Sequence, residues 1–149
     1  MPKIYKILIF LSYFLTNNSF AKEKISIDEI IHDQYLTEYD YFSKVYRFHF
    51  ISQDTNLEMA YMYLPSNNKK MGTITLFHGK NFTSTYWKDL ALTLNSLGYS
   101  VLIPDQIGFG KSSKPVNYQY TFENLALNTK KLLDSLKIKS TQILGHSMG

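Results

Sequence analysis

Three short apolar runs, separated by segments whose apolar residues recur at helical spacing, most constrain what this chain can fold into. The runs are Thr73-Ile-Thr-Leu-Phe77, Ser100-Val-Leu-Ile103 and Gln142-Ile-Leu144. Short, strongly apolar strands of this kind suit a parallel sheet, whose strands are buried on both faces by crossover helices. Between the first two, Trp87, Leu90, Ala91, Leu94 and Leu97 share one face of a helix expected to begin after Ser84 or Thr85. Gly98 sits where a C′ glycine stops such a helix. Between the second and third, Phe122, Leu125, Thr129, Leu132, Leu133 and Leu136 make another apolar face. Thr121 is placed to cap this helix with Glu123 in its first turn, and Lys130, Lys131, Lys137 and Lys139 suit the C-terminal half of its dipole. Strand-helix-strand-helix-strand implies an α/β sheet with right-handed crossovers.

The period changes upstream. Tyr46-Arg-Phe-His-Phe-Ile51 and Leu57 to Leu64 alternate apolar and polar with period two, and Ser52-Gln-Asp-Thr-Asn56 between them is rich in turn formers. This pattern predicts an antiparallel hairpin, ended by an exposed loop over Pro65-Ser-Asn-Asn-Lys-Lys70. Residues 22 to 44 are mixed polar and aromatic, a lead-in segment expected to cover the sheet, with a faint helical spacing at Ile27, Ile30 and Ile31.

The first 21 residues have the pattern of a secretory signal peptide. Lys3 and Lys6 precede an apolar stretch from Ile7 to Leu15, and Ser19-Phe20-Ala21 offers small residues at the −3 and −1 positions of a cleavage site. The stretch is shorter than the ~20 residues a stable membrane helix needs, so no stable membrane anchor is expected. Cleavage after Ala21 would give an exported product, periplasmic or secreted. The chain has no cysteine, hence neither a disulfide framework nor a lipid-attachment thiol. Its net charge of +4 includes Lys3 and Lys6, and the other basic residues are scattered. No nucleic-acid groove is indicated. Neither a metal nor another cofactor is implied, because no metal-ligand spacing occurs.

Three motifs carry chemistry, each at the end of one apolar strand. Gly145-His146-Ser147-Met148-Gly149 follows the third. A serine on a tight strand-to-helix turn projects its hydroxyl above the carboxyl edge of the sheet, and glycines two residues to either side allow close approach without Cβ clashes. His78-Gly79-Lys80-Asn81 follows the first strand and can aim a backbone N–H at a developing oxyanion, Lys80 being preferred and Asn81 the reserve. A second N–H would come from Met148, next to the serine. Pro104-Asp105-Gln106-Ile107-Gly108-Phe109-Gly110-Lys111-Ser112 follows the second strand. Asp105 is expected to accept backbone hydrogen bonds there. A phosphate-binding Gly loop is excluded, since that motif requires a glycine at position 105.

Together, His78-Gly79 with Trp87, Pro104-Asp105 through Gly108-x-Gly110-x-Ser112, and Gly145-x-Ser147-x-Gly149 resemble the α/β-hydrolase superfamily over residues 45 to 149. The similarity is greatest to its esterase, haloperoxidase-like and proline-iminopeptidase-like branch. The resemblance implies the N-terminal part of an α/β-hydrolase fold: an antiparallel hairpin leading into a parallel sheet with crossover helices. It implies Ser147 as nucleophile, Lys80 and Met148 as backbone oxyanion donors, and Gly145 and Gly149 as the elbow glycines. Serine at this position, rather than aspartate, points away from the dehalogenases and epoxide hydrolases, which use a carboxylate.

In that family the acid and then the histidine follow the nucleophile. All four histidines, His32, His49, His78 and His146, precede Ser147. The expectation is therefore a serine hydrolase acting on a small-molecule ester, or less readily an amide, from which truncation at the elbow has removed the triad acid and histidine. The alternative is a catalytically inactive fragment with no enzymatic role.

Overall fold

The computed structural model describes residues 34–67 and 71–149. The segment expected to be a signal peptide, the faint helical spacing before residue 34, His32 and the loop positions 68–70 lie outside the described residues.

The predicted hairpin is present as β1 (Val45–Ser52) and β2 (Thr55–Leu64). Its turn is tighter than the sequence suggested. Only Gln53 and Asp54 lie between the paired residues Ser52 and Thr55, with φ of 50° and 54°. Two successive left-handed residues match the right-handed twist of the flanking strands, so the ladder extends to the turn.

Strand β3 (Thr73–Phe77) leads through a single 3-10 turn (Ser84–Trp87) into α1 (Lys88–Ser96) and then β4 (Ser100–Pro104). Helix α2 (Phe122–Ser135) follows, then β5 (Gln142–Gly145). The sheet order is β1-β2-β4-β3-β5; β4, β3 and β5 run parallel, and β2 joins β4 antiparallel. The expected α/β arrangement, a hairpin leading into parallel strands, is what the chain adopts.

Alternation along β2 divides its side chains between two cores. Met62 and Leu64 join Ile74, Leu76, Val101 and Ile103 against Trp87 and Ala91. Leu57 and Met59 join Leu102 and Ile107 against Leu125 and Leu132 of α2. The sheet is thus apolar on both faces, as its strand composition requires.

Several helix details differ from the sequence reading. Thr83, not Ser84 or Thr85, caps the first helical segment, its hydroxyl accepting the N–H of Thr85. Leu90 and Leu97 of its expected apolar face are exposed, as is Phe122 at the start of α2. Thr121 does cap α2, accepting from Asn124 N–H at 3.2 Å. Gly98 at φ 101° ends α1 as expected, donating its N–H to Asn95 O. Lys130 and Lys131 lie in the C-terminal half of α2 as expected, pairing with Asp134 and reaching Ile51 O, whereas Lys137 and Lys139 lie beyond the helix. Strand β5 was expected to be buried on both faces, and its side chains are not. It is the edge strand of the described sheet, and Ile143 and Leu144 are 68% and 42% exposed. Among the described residues, no helix is long and apolar enough to cross a membrane.

Candidate active site

The carboxyl ends of β3, β4 and β5 bring the three motifs together. After β5, His146 N–H donates to Phe77 O at 3.0 Å, which continues the strand register by one residue. The chain then reverses, and Gly149 N–H returns to His146 O at 3.0 Å. Ser147, at the tip, has φ of 57° and is exposed. This is the left-handed region, which costs an ordinary L-residue about 1–2 kcal/mol.

The flanking glycines are required by contact. A Cβ on Gly145 would lie 2.1 Å from Gly149 O, and one on Gly149 would lie 2.2 Å from Phe77 O. Both obstructions are backbone, which cannot rotate away.

The turn after β3 lies against this elbow. Phe82 N–H donates to Gly79 O at 3.1 Å, and Asn81, third in the turn, has φ of 67°. Asparagine tolerates that conformation better than most residues. A Cβ on Gly79 would sit 3.0 Å from His146 Nδ1 and 3.1 Å from Ser147 Cβ, so the turn and the serine are in immediate contact. Neither Lys80 N–H nor Met148 N–H donates to a backbone carbonyl among the described residues.

The histidines are placed elsewhere. His78 is fully buried; its Nδ1 lies 2.9 Å from Gly79 O and its Nε2 accepts Gln106 N–H at 3.0 Å. Burial pushes its pKa below the ordinary value, against smaller raising effects from the Gly79 carbonyl and the Asp105 carboxylate. The imidazole is neutral and spent on structure. His146 stacks on Tyr86 with ring centres 4.8 Å apart and meets Phe82 edge-on, its buried Nδ1 without a hydrogen-bond partner. His49 lies on β1 beside Glu58, at the opposite edge of the sheet. Ser147 Oγ makes no hydrogen bond to any described residue.

Asp105 organises the loop after β4. Its carboxylate is fully buried and accepts from Ser84 N–H at 2.7 Å, Lys111 N–H at 2.8 Å and Tyr41 Oη at 2.6 Å. The backbone acceptance was foreseeable from the loop sequence; the tyrosine, 64 residues away, was not. Nearby, Phe77, Gln106, Phe122, Leu125, Met148 and Gly149 line a largely apolar cavity of about 130 Å³ under the elbow. Among the described residues, no three His, Cys, Asp or Glu side chains gather as a metal ion would require.

Known proteins are similar to this chain over part of their length. An epoxide hydrolase of Caballeronia sordidicola is 38% identical over 80 residues, covering 52% of this chain and 24% of that protein. A 2-hydroxymuconate semialdehyde hydrolase of Pseudomonas sp. (strain CF600) is 31% identical over 78 residues, covering 51% and 28%. The chain therefore spans about a quarter of the length of these curated relatives. The crystal structure of a probable hydrolytic enzyme from Pseudomonas aeruginosa PAO1 superposes with a TM-score of 0.72 at 44% identity, over 74% of this chain and 35% of that one. The family model described as alpha/beta hydrolase fold matches residues 72–149, from the start of β3 through the elbow, and the chain belongs to that family.

Proposed function

We propose that this chain carries the nucleophile and oxyanion donors of a serine hydrolase acting on carboxylic esters of small molecules. The observation that carries the reading is Ser147: an exposed serine at φ 57° between two contact-locked glycines, beside the turn that follows β3. A left-handed serine held by its surroundings is a recurrent mark of a reactive site.

In this reading Ser147 Oγ attacks the substrate carbonyl carbon, and the carbonyl electron pair moves to oxygen as the C–O bond to Ser147 forms. The N–H groups of Lys80 and Met148 hold that oxyanion. Collapse expels the alcohol and leaves an acyl-serine, which water hydrolyses. The proton needs a histidine oriented by an acid, and in this family both follow the nucleophile in sequence. His78 and His146 are committed to other contacts and His49 lies at the far edge, so none of them supplies it. One similar protein is an epoxide hydrolase; a serine in place of a carboxylate nucleophile favours ester chemistry here. The pattern of Lys3, Lys6, Ile7 to Leu15 and Ser19-Phe20-Ala21 supports export with cleavage after Ala21.

The test is covalent labelling with a fluorophosphonate, read by mass spectrometry of the modified peptide. A protein carrying this chain together with the acid and histidine should be labelled once, at Ser147, and Ser147→Ala should not be labelled. Label elsewhere, or none, removes the nucleophile assignment. The second reading, a chain with no enzymatic role, draws on Ser147 Oγ having no hydrogen-bonded base among the described residues. It predicts no labelling of the 149-residue chain itself.

A further inference from the structure

The family match begins at residue 72, yet residues 34–44 are tied to the loop after β4 at several points. Lys111 Nζ donates to Leu36 O and stands 5.1 Å from the centre of the Tyr41 ring. Lys114 Nζ stands 4.9 Å from the centre of the Tyr35 ring. Tyr41 and Phe42 pack on the cluster that contains Trp87 and Ala91. The most consequential contact is the hydroxyl of Tyr41 on the buried carboxylate of Asp105.

That carboxylate is a junction. One oxygen holds the N–H of Ser84, where the chain leaves the turn that follows β3; the other holds Lys111 N–H and Tyr41 Oη. No salt bridge reaches Asp105 among the described residues. Its charge is balanced by hydrogen bonds, so each donor matters. Burial, and then the neighbouring carboxylate, raise the Tyr41 pKa far above its ordinary value, which keeps the hydroxyl a donor at any physiological pH. The junction also leaves no spare room: a Cβ on Gly110 would lie 2.2 Å from Asp105 Oδ2.

We propose that Tyr41 is a positioning residue for the oxyanion turn: through Asp105 and Ser84 it fixes residues 79–84 beside Ser147. The assignment of an oxyanion function to that turn rests on the reading above; the mechanical link from Tyr41 to the turn does not. Segment 34–44 is then a strap on the site rather than a passive cover for the sheet.

Tyr41→Phe isolates the hydroxyl, because the ring keeps its packing and its contact with Lys111. Amide hydrogen exchange of the full chain should accelerate about tenfold or more at Ser84 and Lys111, while amides of the β1–β2 ladder keep their rates. Asp105→Asn should release the same amides, and the double variant should exchange no faster than Asp105→Asn alone, as required of residues acting through one another. Unchanged exchange at Ser84 in Tyr41→Phe would overturn the proposal, as would uniform acceleration that includes the hairpin, or additive effects in the double variant. Wherever Ser147 is labelled by a fluorophosphonate, Tyr41→Phe should slow the maximal labelling rate about tenfold and leave the half-saturating probe concentration unchanged. Loss confined to the half-saturating concentration would also overturn it. If wild-type Ser147 is never labelled, the hydrolase reading fails, and the exchange experiment still decides the role of Tyr41.

Discussion

His78 accepts the backbone N–H of Gln106 through Nε2 at 3.0 Å, which fastens the end of β3 to the loop after β4. With Nδ1 facing Gly79 O, the ring spends both nitrogens on backbone in the neutral form, and it is fully buried. Protonation would put a second hydrogen where Gln106 already donates. Burial of the ring lowers its folded-state pKa below the ordinary 6.5. As pH falls below that value the unfolded chain binds the proton first, so stability is lost from about pH 6.5 downward until the folded pKa is passed. Thermal unfolding from pH 8 to pH 5 should show a midpoint that falls below pH 6.5. His78→Gln should be less stable at pH 8 by about 1–3 kcal/mol, the cost of an orphaned buried donor, but with a flatter pH profile. An equally steep profile in the variant would dismiss His78 as the cause.

Gly145→Ala tests the elbow without touching the serine. Its Cβ would meet Gly149 O at 2.1 Å, and because the clash lies in the turn that follows the last residue of β5, it displaces that turn rather than the strand ladder. Displacement of about 1 Å at a reacting group can cost 100-fold in rate. Fluorophosphonate labelling of Ser147 should fall at least that far, roughly a hundredfold, with little change in the thermal midpoint. Retained labelling would show that the elbow geometry is not what makes this serine reactive.

Much of this arrangement was legible in the sequence because it rests on local pattern. Period-two alternation marked β1 and β2, apolar runs marked β3, β4 and β5, and Thr121 marked its own helix. The two exposed left-handed residues of the hairpin, Gln53 and Asp54, were hidden because neither is the glycine or asparagine such turns favour. The exposure of the Ile143 and Leu144 side chains was hidden as well, because composition reports which faces a strand can bury and not what covers them. Ser147, Gly79 and His146 were legible as motifs, but their mutual contact depends on β5 pairing with β3. Tyr41 was not legible at all. It lies in a segment without periodicity, and its partner is 64 residues on, a pairing no local rule encodes.

Gly110→Ala and Gly72→Ala separate contact from backbone strain. Both glycines have positive φ, 51° and 101°. A Cβ on Gly72 meets nothing within 4 Å, whereas one on Gly110 meets all three atoms of the Asp105 carboxyl group between 2.2 and 2.6 Å. Gly72→Ala should cost about 1–2 kcal/mol, the backbone strain alone. Gly110→Ala adds overpacking of a buried carboxylate, for a total of about 2–5 kcal/mol. Urea midpoints at constant m-value would measure both. Equal losses would mean that the Asp105 junction can yield more readily than its three hydrogen bonds suggest.

The hairpin turn supplies a test in the stabilising direction. Gln53 and Asp54 both occupy left-handed backbone, but only Gln53 is held from outside. Its Nε2 donates to Gln119 O at 3.1 Å and its Oε1 accepts Gln119 N–H at 3.0 Å. Asp54 is exposed, and glycine at the second position of such a turn removes the left-handed penalty at some cost in unfolded-state entropy. Asp54→Gly should therefore stabilise by about 0.5 kcal/mol. Gln53→Gly removes the same penalty but also releases both bonds to Gln119, and should destabilise by about 1 kcal/mol. Thermal midpoints that move in opposite directions for these adjacent substitutions would establish that the Gln53–Gln119 pair, not turn propensity, holds the hairpin end to the segment preceding α2; midpoints that both rise would show that the pair contributes nothing.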